Sequence, residues 1–206
     1  YFAAYYIAWT LVRNMNIVFG APFWEWRIRE GQLNRDLLRP LFPLHYDIAY
    51  FAGWKVVVIA LWIPLAVGLS LVFDPALDPR LLEVGVFAVA IWGAYLIRTM
   101  FQETLGMLCF WTTRGAAIFD LWMTTELLLS GRLVPMPLMP DWVESIARFL
   151  PFQWTFFFPI ESLVGDLGTG ELLRGLAVQL LWILVGLALF RIAWRHAIRR
   201  YSAVGG

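Results

Sequence analysis

Of the 206 residues, 61% are aliphatic, aromatic or sulfur-bearing, and the mean hydropathy is +0.69, so the bilayer rather than water is the solvent for most of this chain. The formal net charge of +1 hides where the charges sit and points to no nucleic-acid partner, and the single Cys109 excludes an internal disulfide.

Tyr1 to about Gly20 is apolar and aromatic apart from Arg13 and two asparagines, which predicts a helix leaving the membrane near Arg13. No basic region or small-residue cleavage site stands ahead of this run, so the expectation is that a cytoplasmic stretch and one further helix precede it. Residues 24–51 change character. Trp24 and Trp26 suit an interface, and Glu25, Arg27, Arg29 and Glu30 suit water. After Gly31, Leu33, Leu37, Leu38 and Leu41 recur at helical spacing with Asn34, Arg35 and Arg39 off that face, which predicts a short amphipathic helix stopped by Pro40 and Pro43. The segment from His45 to Phe51 then leads back to the membrane.

Residues 54–73 form an apolar span with Lys55 at its edge and Pro64 inside, where neighbours can satisfy the freed carbonyl. Asp74-Pro75 and Asp78-Pro79 predict a tight turn, residues 81–97 return and close at Arg98, and residues 103–130 make the next crossing. Residues 131–170 cannot cross unaided. Pro135, Pro137, Pro140, Pro151 and Pro159 divide them into pieces of about ten, against the roughly 20 residues that a spanning helix needs. They read as a re-entrant lid. Residues 171–192 are the last span, before a basic tail.

Orientation follows from lysine and arginine. Placing the leucine helix and the tail inside collects Arg13, Arg27, Arg29, Arg35, Arg39, Lys55, Arg98 and the tail arginines there. Arg80, Arg132, Arg148 and Arg174 then remain outside. The C-terminus is therefore expected in the cytoplasm and the lid outside, with residues 1–206 one all-α, polytopic transmembrane domain.

Several chemistries are excluded. A P-loop needs a lysine directly after a glycine, whereas Lys55, the only lysine, follows Trp54. With only His45 and His196 there is no HExxH zinc motif, and no histidine lies in a span to activate Ser130, so Ser130-Gly131 reads as a helix end. Charges within a span are costly and face a partner or water. Thr113, Asp120 and Thr124 fall on one helical stripe with Arg114 beside it, facing either a translocation path or second subunit, or internal ion pairs. Glu126 is expected near the outer surface, solvated. The leucine helix either lies on lipid headgroups or docks in a groove of a soluble protein. Phe149, Phe152, Trp154, Phe156, Phe157 and Phe158 fit an interfacial belt and a hydrophobic gate equally.

Ordered short matches then become apparent: Gly31-Gln32-Leu33 through Leu37-Leu38-Arg39-Pro40-Leu41; Phe110-Trp111-Thr112 with Arg114; Ser130-Gly131 leading to Pro135; Pro140 with Trp142; Leu150-Pro151-Phe152; Pro159; Gln179 with Trp182; and Arg200-Tyr201 with Gly205-Gly206. In this order the chain resembles permeases of the ABC-2 family, in the uncharacterised ABC-2 permease subgroup. The resemblance implies an exporter half of six transmembrane helices in a bacterial plasma membrane, with both termini inside and re-entrant extracellular helices after the fifth span. Only five long crossings are visible. The missing one is expected ahead of Tyr1.

The resemblance further implies partners: two copies of a P-loop ATPase that carries the ATP and Mg, and a second ABC-2 permease subunit, the same or related. No cofactor or metal is expected on this chain. By similarity, coupling falls on Leu33, Leu37, Leu38 and Pro40, with Glu25, Glu30, Arg35 and Arg39 setting the register, and the outer gate falls on Leu150, Pro151, Phe152, Phe156 and Pro159. The other readings are a membrane-bound enzyme using Asp120 or Glu126 with Arg114 on a lipid substrate, and a passive membrane scaffold.

Overall fold

The computed structural model describes residues 2–73, 79–112 and 115–201. Within them every regular element is helical: α1 (Phe2–Met15), α2 (Ala21–Arg29), α3 (Gln32–Leu37), α4 (Pro43–Phe73), α5 (Leu81–Met107), α6 (Gly115–Leu129), α7 (Asp141–Ala147), α8 (Phe157–Val164) and α9 (Thr169–Ala197). Single 3-10 turns stand at Leu108–Phe110, Met136–Leu138 and Phe152–Trp154. Among the described residues three helices are long and apolar enough to cross a bilayer: Pro43–Phe73, Leu81–Phe110 with its 3-10 turn, and Thr169–Ala197. The chain is a polytopic helical membrane protein.

Local chemistry sets the helix ends. Glu83 and Glu171 each reach back from the third helical position to a backbone N–H, of Arg80 at 2.8 Å and Gly168 at 2.9 Å, satisfying donors that the first turns of α5 and α9 leave open. Pro22 in the first turn of α2 lacks the N–H that would be orphaned there. Gly31, at φ 65°, makes the left-handed turn into α3. Pro43 opens α4, which runs unbroken through His45 to Phe51 into the apolar span and past Pro64.

The central pair is α5 and α9. Small residues let them approach closely, Gly93 of α5 facing Gln179 and Gly186 of α9 facing Met100, while Gly175 of α9 makes room for the Phe158 ring of α8. Gln179 Nε2 donates to the carbonyls of Ala90 (3.0 Å) and Trp154 (2.8 Å), joining α9 to α5 and to the broken segment. At that end, Tyr5, Tyr6 and Trp9 of α1 donate to the carbonyls of Gly131, Leu133 and Arg132. At the opposite end, Trp24, Leu33, Leu44, Met100, Met107, Phe190 and Ala197 bury one another, so α2 and α3 close off the ends of α4, α5 and α9. Along α4 every side chain from Val56 to Phe73 is half-buried or exposed, with Val58, Ile59 and Trp62 leaning on α1, so it offers its apolar surface to lipid or another chain.

Two expectations need correction, and one residue has a role the sequence did not show. Residues 103–130 are not one crossing: α5 continues past Arg98 and Glu103 to Met107, and the chain breaks before α6. With 15 residues, α6 is about 22 Å long, short of a ~30 Å hydrocarbon core. Its end, Ser130-Gly131, is the helix end expected, with Gly131 at φ 76° and the Ser130 carbonyl accepting from Phe157 N–H at 3.1 Å. Lys55, expected at the edge of the span, does more than mark that edge. It is fully buried, and its ammonium donates to the carbonyls of Asn14 (3.0 Å) and Ile17 (2.5 Å), closing the end of α1. Glu126, expected to be solvated, is buried and pairs with Arg98 at 2.7 Å. Arg98 stands about 14 Å along α5 from Met107 and Glu126 in the last turn of α6, and both are buried, so the pair is enclosed by the bundle near that end of α6.

Candidate functional site

The most heavily built polar cluster joins α2 and α3 to the bundle. Arg27 projects from α2 between the rings of Phe23 and Trp24, with its guanidinium 4.6 and 4.7 Å from their centroids. Its fork bonds Asp47 of α4 bidentately, Nη1 to Oδ2 at 2.9 Å and Nη2 to Oδ1 at 2.8 Å. Its Nε meets Asp36 of α3 at 3.2 Å. Burial opposes the charge on Arg27, but the hydrogen bonds and charge of Asp47, with Asp36 behind them, hold it above the ordinary arginine range.

Around this ion, Trp24 Nε1 donates to Glu103 of α5 at 2.7 Å, and Tyr201 donates to the Asn34 side chain at 2.7 Å. Gly106 makes room for Trp24: a Cβ there would collide with the indole. A helix of only six residues is thereby fixed to α2, α4 and the segment after α9. Secondary-structure propensity alone could not hold so short a piece.

The four leucines do not share one fate. Leu33 is fully buried in the cluster with Trp24 and Met107, whereas Leu38 is 87% exposed and Leu37 and Leu41 are exposed beside it. With Arg39 and Pro40, also exposed, they make an apolar knob on the outer side of α3. Asp36 decides the facing, because its link to Arg27 turns that side of the helix inward. Arg35 is exposed, Glu25 is half-buried and pairs with Arg29 at 2.9 Å, and Glu30 is exposed after α2.

The other expected site residues lie elsewhere. Thr113 and Arg114 fall outside the described residues. Asp120 and Thr124 are exposed on one face of α6, with Thr124 Oγ1 donating to the Asp120 carbonyl at 2.9 Å. Six positions on, Glu126 lies on the opposite side of that helix, so Asp120 and Glu126 do not converge on a common site. Leu150 is half-buried; Pro151, Phe152, Phe156 and Pro159 are buried within this chain, with Phe152 edge-on to Trp122 at 4.7 Å and Phe156 in the cluster of Tyr5 and Phe87. Among the described residues no group of three His, Cys, Asp or Glu side chains is placed to hold a metal ion.

Sequence reasoning missed Asp36, Asp47 and Glu103. The signal was available only as charge bookkeeping: acidic residues in a basic segment, one within the first turns of a helix that then enters the membrane. It also missed Gln102, whose amide, oriented to satisfy both its atoms, accepts from Arg98 Nε at 2.9 Å and donates to the Phe19 carbonyl at 3.0 Å. Thus Arg98 bridges α5 to α6 directly and to the α1–α2 connection through Gln102.

No curated protein and no solved structure matches the chain. The family profile described as ABC-2 family transporter protein matches residues 2–205, nearly the whole length, over the three spans and the α2–α3 cluster alike. The chain therefore belongs to the ABC-2 family and is a membrane-embedded permease component of an ABC transporter, a kind of subunit that works with an ATP-binding partner.

Proposed function

We propose that this chain is half of the translocation pathway of an exporter in a bacterial plasma membrane, with a second ABC-2 permease, the same or related, and two copies of a separate P-loop ATPase. On this reading the α2–α3 end and the C-terminus are cytoplasmic, the segment 131–170 faces outward, and ATP and Mg belong to the ATPase. The knob of Leu37, Leu38, Arg39, Pro40 and Leu41 enters a groove on that partner, while Glu25, Glu30 and Arg35 set the register.

The observation that carries the proposal is the two-sided construction of α3. One side is exposed and apolar; the other is bolted to α2, α4 and the end of the chain through Leu33, Asp36 and Asn34. A docking surface on a floating loop would transmit nothing. Here displacement of the knob moves the ends of α4, α5 and α9 together, so the different affinities of the ATPase for two permease conformations become a bias between them. The exposed face of α6 with Asp120 and Thr124 then meets the second permease or lines the path, and Leu150 to Pro159 form the outer closure.

The test replaces Leu37 and Leu38 with Asp in the native operon and purifies through a tag on the permease. Loss of the ATPase from an otherwise folded, membrane-inserted permease is the expected result. Retention at full stoichiometry removes the docking role.

A further inference from the structure

A groove of about 200 Å³ opens beside α3, between the α1–α2 connection and the first turns of α4. Its floor is aromatic: Phe19 and Phe23 stack at 3.7 Å between centroids, and Tyr50 lies over Phe19 at 5.8 Å. Its rim is cationic and hydrogen-bond donating, with Gln32, Arg35 and Arg39 on one side and Tyr46 on the other.

The charges do not cancel. Arg27 is matched by Asp47, and Arg39 stands 3.6 Å from Asp36. Arg35, exposed, has no carboxylate partner among the described residues, and the phenol hydroxyls of Tyr46 and Tyr50 hydrogen-bond no described residue. One unopposed positive charge and two free donors therefore face a pocket with an apolar floor.

Its depth identifies the ligand. Tyr46, Tyr50 and Trp54 follow one another at i, i+4 and i+8 on α4, all exposed, and the unbroken apolar surface starts at Val56. Tyr50 is about 9 Å before Val56 along the helix, the level of the headgroup region that flanks a hydrocarbon core. Polar donors at headgroup height, continued by an aromatic and then aliphatic ridge running into the membrane, match a molecule with an anionic head and two long tails. Basic pockets at the end of a transmembrane bundle take anionic lipid headgroups by the same chemistry.

We propose that this groove binds one anionic phospholipid from the surrounding leaflet, its phosphate at Arg35 and Arg39, its glycerol region against Tyr46 and Tyr50, and its acyl chains along Trp54 and the ridge beyond. The site shares Arg35 and Arg39 with the proposed docking surface but none of its leucines, and it does not require the exporter reading.

The test uses the full transporter complex, purified in mild detergent from membranes containing phosphatidylglycerol and phosphatidylethanolamine, with retained lipid measured by native mass spectrometry. Wild type is expected to keep about one phosphatidylglycerol per permease chain, and Arg35→Ala/Tyr50→Ala to keep at least tenfold less. Both side chains are exposed, so the variant is expected to fold; a matching melting temperature verifies this. Arg174→Ala, an exposed arginine at the other end of the bundle, is expected to retain the lipid. Equal retention by the double variant, equal retention of the zwitterionic lipid, or displacement by millimolar inorganic phosphate alone would each overturn the assignment.

Discussion

Replacing Arg27 with Met isolates the energetics of the fastening between α2, α3 and α4. The substitution removes both bonds to Asp47, at 2.8 and 2.9 Å, and leaves that carboxylate fully buried without a cation. Asp36 suffers less, because it keeps Arg39 at 3.6 Å and some contact with water. The cost is therefore set by Asp47 and should be about 3–5 kcal/mol, the usual penalty for orphaning one member of a buried pair. For a chain of this size that corresponds to a drop in melting temperature of roughly 6–20 °C. Tryptophan fluorescence of the purified permease during heating reads it directly. Arg27→Lys should recover little, since an ammonium cannot reproduce the fork that meets both Asp47 oxygens and Asp36. Arg27→Met/Asp47→Leu should recover most of the loss, because it removes the stranded carboxylate and Asp36 keeps Arg39. A single variant within about 2 °C of wild type, or a double variant no better than the single, would refute the reasoning.

Three further outcomes are expected. Glu126→Leu strands the buried Arg98 and should destabilise by about 3–5 kcal/mol, with Arg98→Met/Glu126→Leu largely restored in the same melting assay. Gly106→Val pushes into the Trp24 indole and away from its bond to Glu103; a loss of about 1–3 kcal/mol is expected, with a shifted Trp24 emission in a variant background that isolates it. Lys55→Met removes charge-assisted bonds to two carbonyls, at about 1.5–3 kcal/mol for a bond to a charged group. Faster hydrogen exchange around residues 14–18 should report that the end of α1 has been freed.

The features legible in the sequence were those that hydropathy governs. The spans α4 and α9 fall where long apolar stretches end in charge or proline, and the prolines from Pro135 to Pro159 do punctuate a segment of short helices and turns. The break between α5 and α6 was missed although Thr112-Thr113-Arg114-Gly115 stands at it, because the apolar residues on both sides let 103–130 read as one crossing. The leucines near α3 share a helical period, yet Leu33 is buried and Leu38 is not, because Asp36 and Arg27 select the inward side. Periodicity sees apolar side chains and is blind to an ionic hook. Glu126 was assigned to solvent from its position along a run, and the burial of Lys55 went unseen, for a related reason. Their partners, Arg98 and the carbonyls of Asn14 and Ile17, come from elements distant in sequence.

The central claim is that the ATP-binding partner meets the permease at Leu38 and its neighbours. It is tested most directly by replacing Cys109 with Ala, introducing Leu38→Cys, and photo-cross-linking the native complex through that thiol. A cross-link to the ATPase from Leu38→Cys, with none from Trp142→Cys at the far end, is the result expected. A cross-link from Trp142→Cys, or none from Leu38→Cys in an intact complex, would contradict the account.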